Sequence, residues 1–535
     1  MRRGRATPDR AIDGPTPRWR PRLSPAPVVG ALAAFFWWSP AAGQEANPDG
    51  VAPAPGESLP VVAHTLDNGM RFLVLERRGS PTVAFMVHYP VGSIHEHLGN
   101  TGIAHVLEHM LFKGTQEIGT SDREAERALL LRADVLRDSL LALATSSGPS
   151  GETESATPRP ELEARLAATL DSASALEIPN EFDAILSRAG ARGLNATTSY
   201  EATRYFVEMP SNRAELWFAL ESARMKDPVF RGFYPELDVV KEERRMRLET
   251  SPGALLQTAL LAAAYAVHPY GVPVIGHASD LDRLTRGQAE DYFRRYYGAR
   301  NAVVAIVGSV DPDQIIQWAN AYFGDLREGE PPPLVVAEEP PQRGVRRIEV
   351  EYDAEPQLAM AWRGVSGDHP DAPALAVLAV ALTGGRTSAL YRRLVTADRT
   401  ALQVSAFQGP GFLGPRLFWI TGAPRAPHAS DELEESIRDE IRKIQETPPS
   451  GAVMQRIRNQ IRAGDYRRLG RNFQLAGQLA DSEATFGDWR TTFRLSQAVV
   501  DVTPEDVQRV AREYLKDSSL TVATLVRPAS EGPTP

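Results

Sequence analysis

The five residues His105-Val106-Leu107-Glu108-His109 carry the clearest chemical signal in the chain. They lie in IAHVLEHMLFK (103–113), whose pattern predicts a helix. On a helix, residues i and i+4 stand one above the other, so both imidazoles share a face and Glu108 flanks it. Two neutral imidazoles beside a carboxylate begin a zinc site. Zinc lowers the pKa of a bound water to about 7, and the adjacent carboxylate is placed to take its proton. The bland alternative is a helix that displays surface histidines. The chain has no cysteine, so any metal must be held by His, Asp or Glu.

A catalytic zinc needs a third protein ligand and an open position. Tyr234-Pro235-Glu236-Leu237-Asp238-Val239-Val240-Lys241-Glu242-Glu243 opens a second helix over about 235–249, with Pro235 suited to its first turn. Glu236 and Glu243 are i and i+7 and share a face with Val239 and Val240, a stripe expected to point inward. Glu242 turns away with Lys241. Glu243 is therefore the expected third ligand. Glu236 is expected to orient a ligand or the metal's water. The alternatives are an exposed acid at Glu243 and a structural salt bridge at Glu236.

The 535 residues that position these groups have ordinary globular composition, 42% hydrophobic and 24% charged. This excludes a disordered or polytopic membrane chain. Net charge is −9, but residues 1–43 hold seven Arg and two Asp, leaving −14 for the rest, a poor partner for nucleic acid or anionic membranes. Those 43 residues join a basic opening, an apolar run at 28–38 and small residues ending at Gly43. That is the pattern of a signal peptide, and the run is too short for an ordinary span. A periplasmic or secreted protein is expected, off the membrane once the signal is cleaved. A retained N-terminal anchor is the alternative.

Residues 44–57 form a flexible lead-in, 58–327 a first domain that carries the zinc motif, 328–344 a linker, 345–527 a second domain and 528–535 a frayed tail. The linker assignment rests on EGEPPPLVVAEEPP (328–341). Leu284–Val307 and Val502–Leu525 match at a constant offset of 218: a Thr cap, an amphipathic helix ending in Tyr, a polar turn, an apolar strand. This suggests an internal duplication, with convergence of two ordinary helix–turn–strand units as the alternative. Alternating strands and helices predict α/β sandwich domains. Residues 122–180 read as a helical hairpin whose tip, 146–160, is low in complexity and expected to be nicked first by proteases.

The sequence resembles the pitrilysin/insulinase/mitochondrial-processing-peptidase family of zinc metallopeptidases, exported bacterial type, over about 60–527. The matching pieces are TLDNGMRFLV (65–74), HVLEHMLFKGT (105–115), GLNATTSYEATRYF (193–206), ELDVVKEE (236–243), HPYGVPVIG (268–276) and LTGGRTSALYRRL (382–394). The resemblance implies an α+β fold of two homologous domains, each a mainly antiparallel sheet packed with helices, forming half of a clamshell. It implies one zinc per chain on His105, His109 and Glu243, with Glu108 as general base and Glu236 in support. It places Asn195 and Ala196 on an edge strand that pairs with the substrate backbone, a form of β-augmentation.

Two departures stand out. The 133 residues between His109 and Glu243 exceed the family spacing by roughly the 122–180 hairpin, expected to be a surface addition whose replacement leaves the metal site intact. Second, the Arg and Tyr that single-subunit relatives place near the zinc fall on Val395 and Leu402. Arg392, Arg393 or Arg399 could stand in. In that case the chain works as a homodimer or monomer; otherwise a related subunit supplies these groups in a heterodimer. The function implied is a zinc endopeptidase acting on unfolded proteins or short peptides. The competing class is a non-catalytic scaffold or processing-enhancing subunit.

Overall fold

The computed structural model describes residues 56–146 and 158–528. The expected signal peptide, nearly all of the expected lead-in, most of the hairpin tip and nearly all of the expected tail fall outside the described residues.

The first half begins with strands β1 (Val62–Thr65), β2 (Arg71–Glu76) and β3 (Thr82–Tyr89), then helix α1 (Ile103–Met110). The hairpin helices α2 (Arg123–Ser146) and α3 (Arg159–Ser174) follow, then α4 (Glu181–Arg188), β4 (Arg192–Thr198) and β5 (Thr203–Pro210). Next come α5 (Ala214–Lys226), α6 (Phe233–Arg244), α7 (Pro252–Ala264), α8 (Ala278–Leu281), α9 (Arg286–Tyr296), β6 (Val303–Gly308) and α10 (Pro312–Phe323). The second half holds β7 (Arg346–Glu351), β8 (Gln357–Arg363), α11 (Ala372–Thr383), β9 (Ala401–Gly409) and β10 (Leu417–Pro424). It ends with α12 (Ser430–Glu446), α13 (Gly451–Leu469), α14 (Asn472–Phe486), α15 (Thr491–Asp501), α16 (Pro504–Tyr514) and β11 (Leu520–Val526).

The strands form two sheets, ordered β1-β2-β6-β3-β5-β4 and β7-β11-β8-β10-β9. Dropping β1 makes the two orders equivalent. The parallel pairs also correspond, β2 with β6 and β7 with β11, and the remaining pairs are antiparallel. The offset of 218 holds in detail. Thr285 and Thr503 each close a capping box, and the short 3-10 turns Ala299–Asn301 and Asp517–Ser519 precede β6 and β11. Their shared sheet position and strand direction favour duplication over convergence.

Both faces are buried at the centre of the first sheet, which is why β6 reads VVAIVG without alternation, whereas the edge strands β4 and β7 keep exposed positions. On one face of the first sheet, Phe72, Val74, Val83, Phe85, Val304 and Ile306 meet the first half's own helices. On the other, Leu73, Leu75, Met86 and Val307 pack against Leu475, Ala476, Leu479 and Ala480 of α14, from the second half. The exchange is reciprocal: Leu256, Leu260 and Ala264 of α7 cover Ala359, Ala361, Trp419 and Leu525 of the second sheet. Each buried Leu contributes about 1.5–3 kcal/mol, so the swapped helices bind the halves strongly. The segment 325–344 has no regular secondary structure. It is nevertheless pinned, because Glu339 accepts the Ala266, Val267 and His268 N–H groups just past α7.

The hairpin is more than a surface addition. Its tip-side helices pack through Leu136, Leu140 and Leu162, and its base is tied to the body by buried charge. Arg231 Nε donates to Glu126 Oε1 at 2.8 Å, and both side chains are 3% exposed. The same guanidinium donates to the Thr115 and Ile118 carbonyls and so fixes the loop after α1. Asp134 accepts from the Tyr234 hydroxyl at the start of α6 and from Arg286. Removing one partner of a buried ion pair costs about 3–5 kcal/mol. Glu126→Ala is thus expected to lower the free energy of unfolding by that amount, read by thermal or urea denaturation. A change under about 0.5 kcal/mol, the range of an ordinary surface substitution, would show that the hairpin base bears no load. A deletion of 125–178 removes both carboxylates and leaves Arg231 buried without its partner.

Candidate metal centre

α1 is held at its start by a carboxylate. Gly102 precedes it with φ 90°, and a Cβ there would lie 2.6 Å from the Ile275 carbonyl oxygen. Glu96 accepts the Gly102 and Ala104 N–H groups at 2.7 and 2.8 Å. Burial pushes the Glu96 carboxyl up to about 8 even with those two bonds. Asp280 clamps the preceding turn through the Thr101 hydroxyl and the Gly99 and Thr101 N–H groups.

From this fixed helix His105 and His109 meet Glu243 of α6. One ligand atom from each of the three lies within 4.8 Å of the others. His105 Nε2 and His109 Nε2 stand 3.8 and 3.4 Å from Glu243 Oε2. Donors about 2.1 Å from a tetrahedral ion are about 3.4 Å from one another, so the three fit a zinc ion. Glu236 Oε1 accepts from His109 Nδ1 at 2.9 Å, and Lys113 Nζ donates to Glu236 Oε2 at 2.6 Å. A carboxylate behind the imidazole fixes its tautomer and leaves Nε2 for the metal. His105 Nδ1 is buried without a hydrogen-bond partner.

The electrostatics suit a cation. Burial drives His105 down to about 4, so it is neutral. Burial also opposes charge on His109, yet the bonds to Glu236 and Glu243 overcome it and hold His109 up to about 9. Glu236, though partly buried, is drawn down to about 2 by His109 and Lys113. Burial would raise Glu243, but His109, His105 and Arg247 hold it below the usual carboxylate range. Glu108 is not among the three convergent donors. Burial raises it, opposed by Thr198 and His109.

The inward stripe of α6 differs from the sequence expectation at one position. Val239 is 53% exposed, whereas Phe233, Leu237 and Val240 are buried beside Glu236 and Glu243. Leu237 fills the place assigned to Val239, because the face directed at α1 runs 233-236-237-240-243. Glu242 is exposed and paired with Arg245, as expected. The helix also ends early: Arg245–Glu249 widen into a π-helical turn.

Asn195 and Ala196 lie on β4, the outermost strand of its sheet, with a register shift between Arg192 and Asn195. Ala196 packs in the core shared with α1. Its N–H is accepted by the Asn195 side chain at 2.9 Å. In the second half, Leu402 is 52% exposed on β9, and Arg393 is committed to Asp398, Asp439 and Glu440. α11, which follows β8 as α1 follows β3, reads APALAVLAVALT and offers no metal donor. Sequence reasoning missed Glu96 and Arg247. A glutamate six residues before a glycine-led helix was the available signal for the first.

A family model described as insulinase (peptidase family M16) matches residues 71–129, which contain the two histidines and Glu108. A second, described as the peptidase M16 inactive domain, matches 283–461. Both halves of the chain are thus similar to the M16 peptidase family. A Helicobacter pylori protein named zinc protease PqqE is 26% identical over 474 residues, 86% of this chain and 91% of that protein. The probable mitochondrial-processing peptidase subunit beta of Arabidopsis thaliana is 24% identical, covering 86% of this chain and 77% of its own length. Among solved structures, a protease from Helicobacter pylori superposes with a TM-score of 0.72 at 24% identity, covering 87% of this chain and 99% of that one. The Escherichia coli periplasmic protease PqqL gives 0.64 at 16% identity, covering 89% of this chain but 48% of its own. These likenesses fit the mixed α/β fold of two sheets packed with helices. The "inactive" description covers the end of the first half and much of the second and includes none of His105, His109 and Glu243, the donor group found among the described residues. Among the described residues no helix is long and apolar enough to cross a membrane.

Proposed function

We propose that this M16-like chain is a zinc-dependent endopeptidase that hydrolyses peptide bonds in unfolded proteins or short peptides. The observation that carries this is the convergence of His105, His109 and Glu243 within 4.8 Å. One zinc per chain would sit on these three residues, with Glu236 fixing His109. Bound there, zinc supplies Lewis acidity and makes hydroxide available near neutral pH. Glu108, beside the ligands and raised by burial, takes the proton of the attacking water and later delivers it to the departing amine. β4 supports substrate binding through main-chain bonds at Asn195 and Ala196, since it is the sheet edge beside α1.

Neither Val395 nor Leu402 can supply the Arg and Tyr that grip substrate in single-chain relatives. A related subunit in a heterodimer fills this role, or Arg392 or Arg399 stands in and the chain works as a homodimer or monomer. The chain covers 48% of PqqL, so two such chains approach PqqL's length. The N-terminal pattern and the name of PqqL support an exported, periplasmic or secreted protein.

The test is hydrolysis of an unstructured peptide, followed by mass spectrometry. Cleavage is expected to cease with a zinc chelator and to return when zinc is restored. Cleavage indifferent to chelation excludes the metal mechanism. A zinc-loaded protein that cleaves nothing, with or without a partner, favours the scaffold class.

A further inference from the structure

The two oxygens of Glu243 face different partners. Oε2 looks at both imidazoles, while Oε1 lies 2.6 Å from Arg247 Nη2. Arg247 stands on the π-helical turn Arg245–Glu249 that continues α6. Single π turns inside helices recur at functional sites. The neighbouring cations are committed elsewhere: Arg244 to Glu249 and the Gly276 carbonyl, Arg245 to Glu242, Lys113 to Glu236. Among the described residues Arg247 is the arginine in ion-pair contact with the donor set, and its side chain is 56% exposed where that of Glu243 is 15% exposed.

A carboxylate can bind a metal through one oxygen or two. A guanidinium in ion-pair contact with one oxygen holds that oxygen by charge and opposes its turning to a second metal contact. We propose that Arg247 holds Glu243 to one-oxygen coordination and so keeps the metal's remaining position free for water and substrate. This rests on His105, His109 and Glu243 being the ligand set. Arg247 acts through Glu243 and is a positioning residue.

The test uses the full-length protein loaded with Co2+, whose visible absorption is stronger when four-coordinate than when five-coordinate. The wild type is expected to give the strong spectrum. Arg247→Met, which keeps the length and removes the charge, should let Oε1 swing onto the metal. Its absorption should fall severalfold, with kcat reduced about tenfold or more and KM within about twofold. Arg247→Lys should recover most of both. An Arg247→Met spectrum identical to that of the wild type, or a weak spectrum in the wild type itself, overturns the proposal. Failure of His105→Ala to reduce cobalt uptake overturns the ligand assignment instead.

Discussion

Glu108→Gln protein is expected to retain its zinc and lose its peptidase activity. The substitution preserves size and removes the proton acceptor, and Glu108 is not one of the three convergent donors. General base catalysis contributes on the order of 10²–10⁴ in rate. The upper end is expected because the two carboxylates of α6 at the site are engaged: Glu236 is held by His109 and Lys113, and Glu243 faces the histidines. Burial already raises Glu108 and so favours a group that can both take and return a proton. The check is kcat/KM on one peptide alongside zinc content. Turnover within about tenfold of wild type would move the base elsewhere, and concurrent loss of zinc would make Glu108 a ligand.

The second large effect concerns assembly. A chain without the substrate-gripping Arg and Tyr can hold metal and water yet position a peptide poorly, and a misplacement of about 1 Å can cost about 10²-fold in rate. The isolated chain is expected to be a weak peptidase. Adding a related subunit that has the Arg and Tyr but lacks the H-x-x-E-H motif should raise kcat/KM by about that factor. Arg393 is a poor substitute, since three acidic groups of its own half engage it. Sizing and assay of the chain alone and mixed separate the cases. Full activity from the chain alone, unchanged by the partner, would contradict the heterodimer.

The legible parts of this molecule were those written locally. His105 and His109 are one helical turn apart, so their shared face follows from spacing alone. The 218-residue repeat showed in the sequence because Thr caps, helix faces and apolar strands are all short-range signals, and the two sheets repeat one order around them. Apart from the family resemblance, Glu243 was legible through the apolar stripe beside it, and that stripe named Val239 where Leu237 is buried. The sequence could not show what depends on distant partners. Nothing in SPGALLQTALLAAA says that α7 lies on the other half's sheet, because an evenly apolar helix has no preferred face. Arg231, a single residue between Phe230 and Gly232, gives no periodic hint that it joins Glu126 and the loop after α1. Arg247 reaches Glu243 from a π turn that no residue pattern announced.

Metal analysis of the purified full-length protein and three variants, His105→Ala, His109→Ala and Glu243→Gln, is the most direct test of the metal centre. One zinc per wild-type chain is expected, and essentially none in any of the three, with folding intact by circular dichroism. A wild type that holds no zinc when it is supplied, or variants that keep a full equivalent, would contradict it.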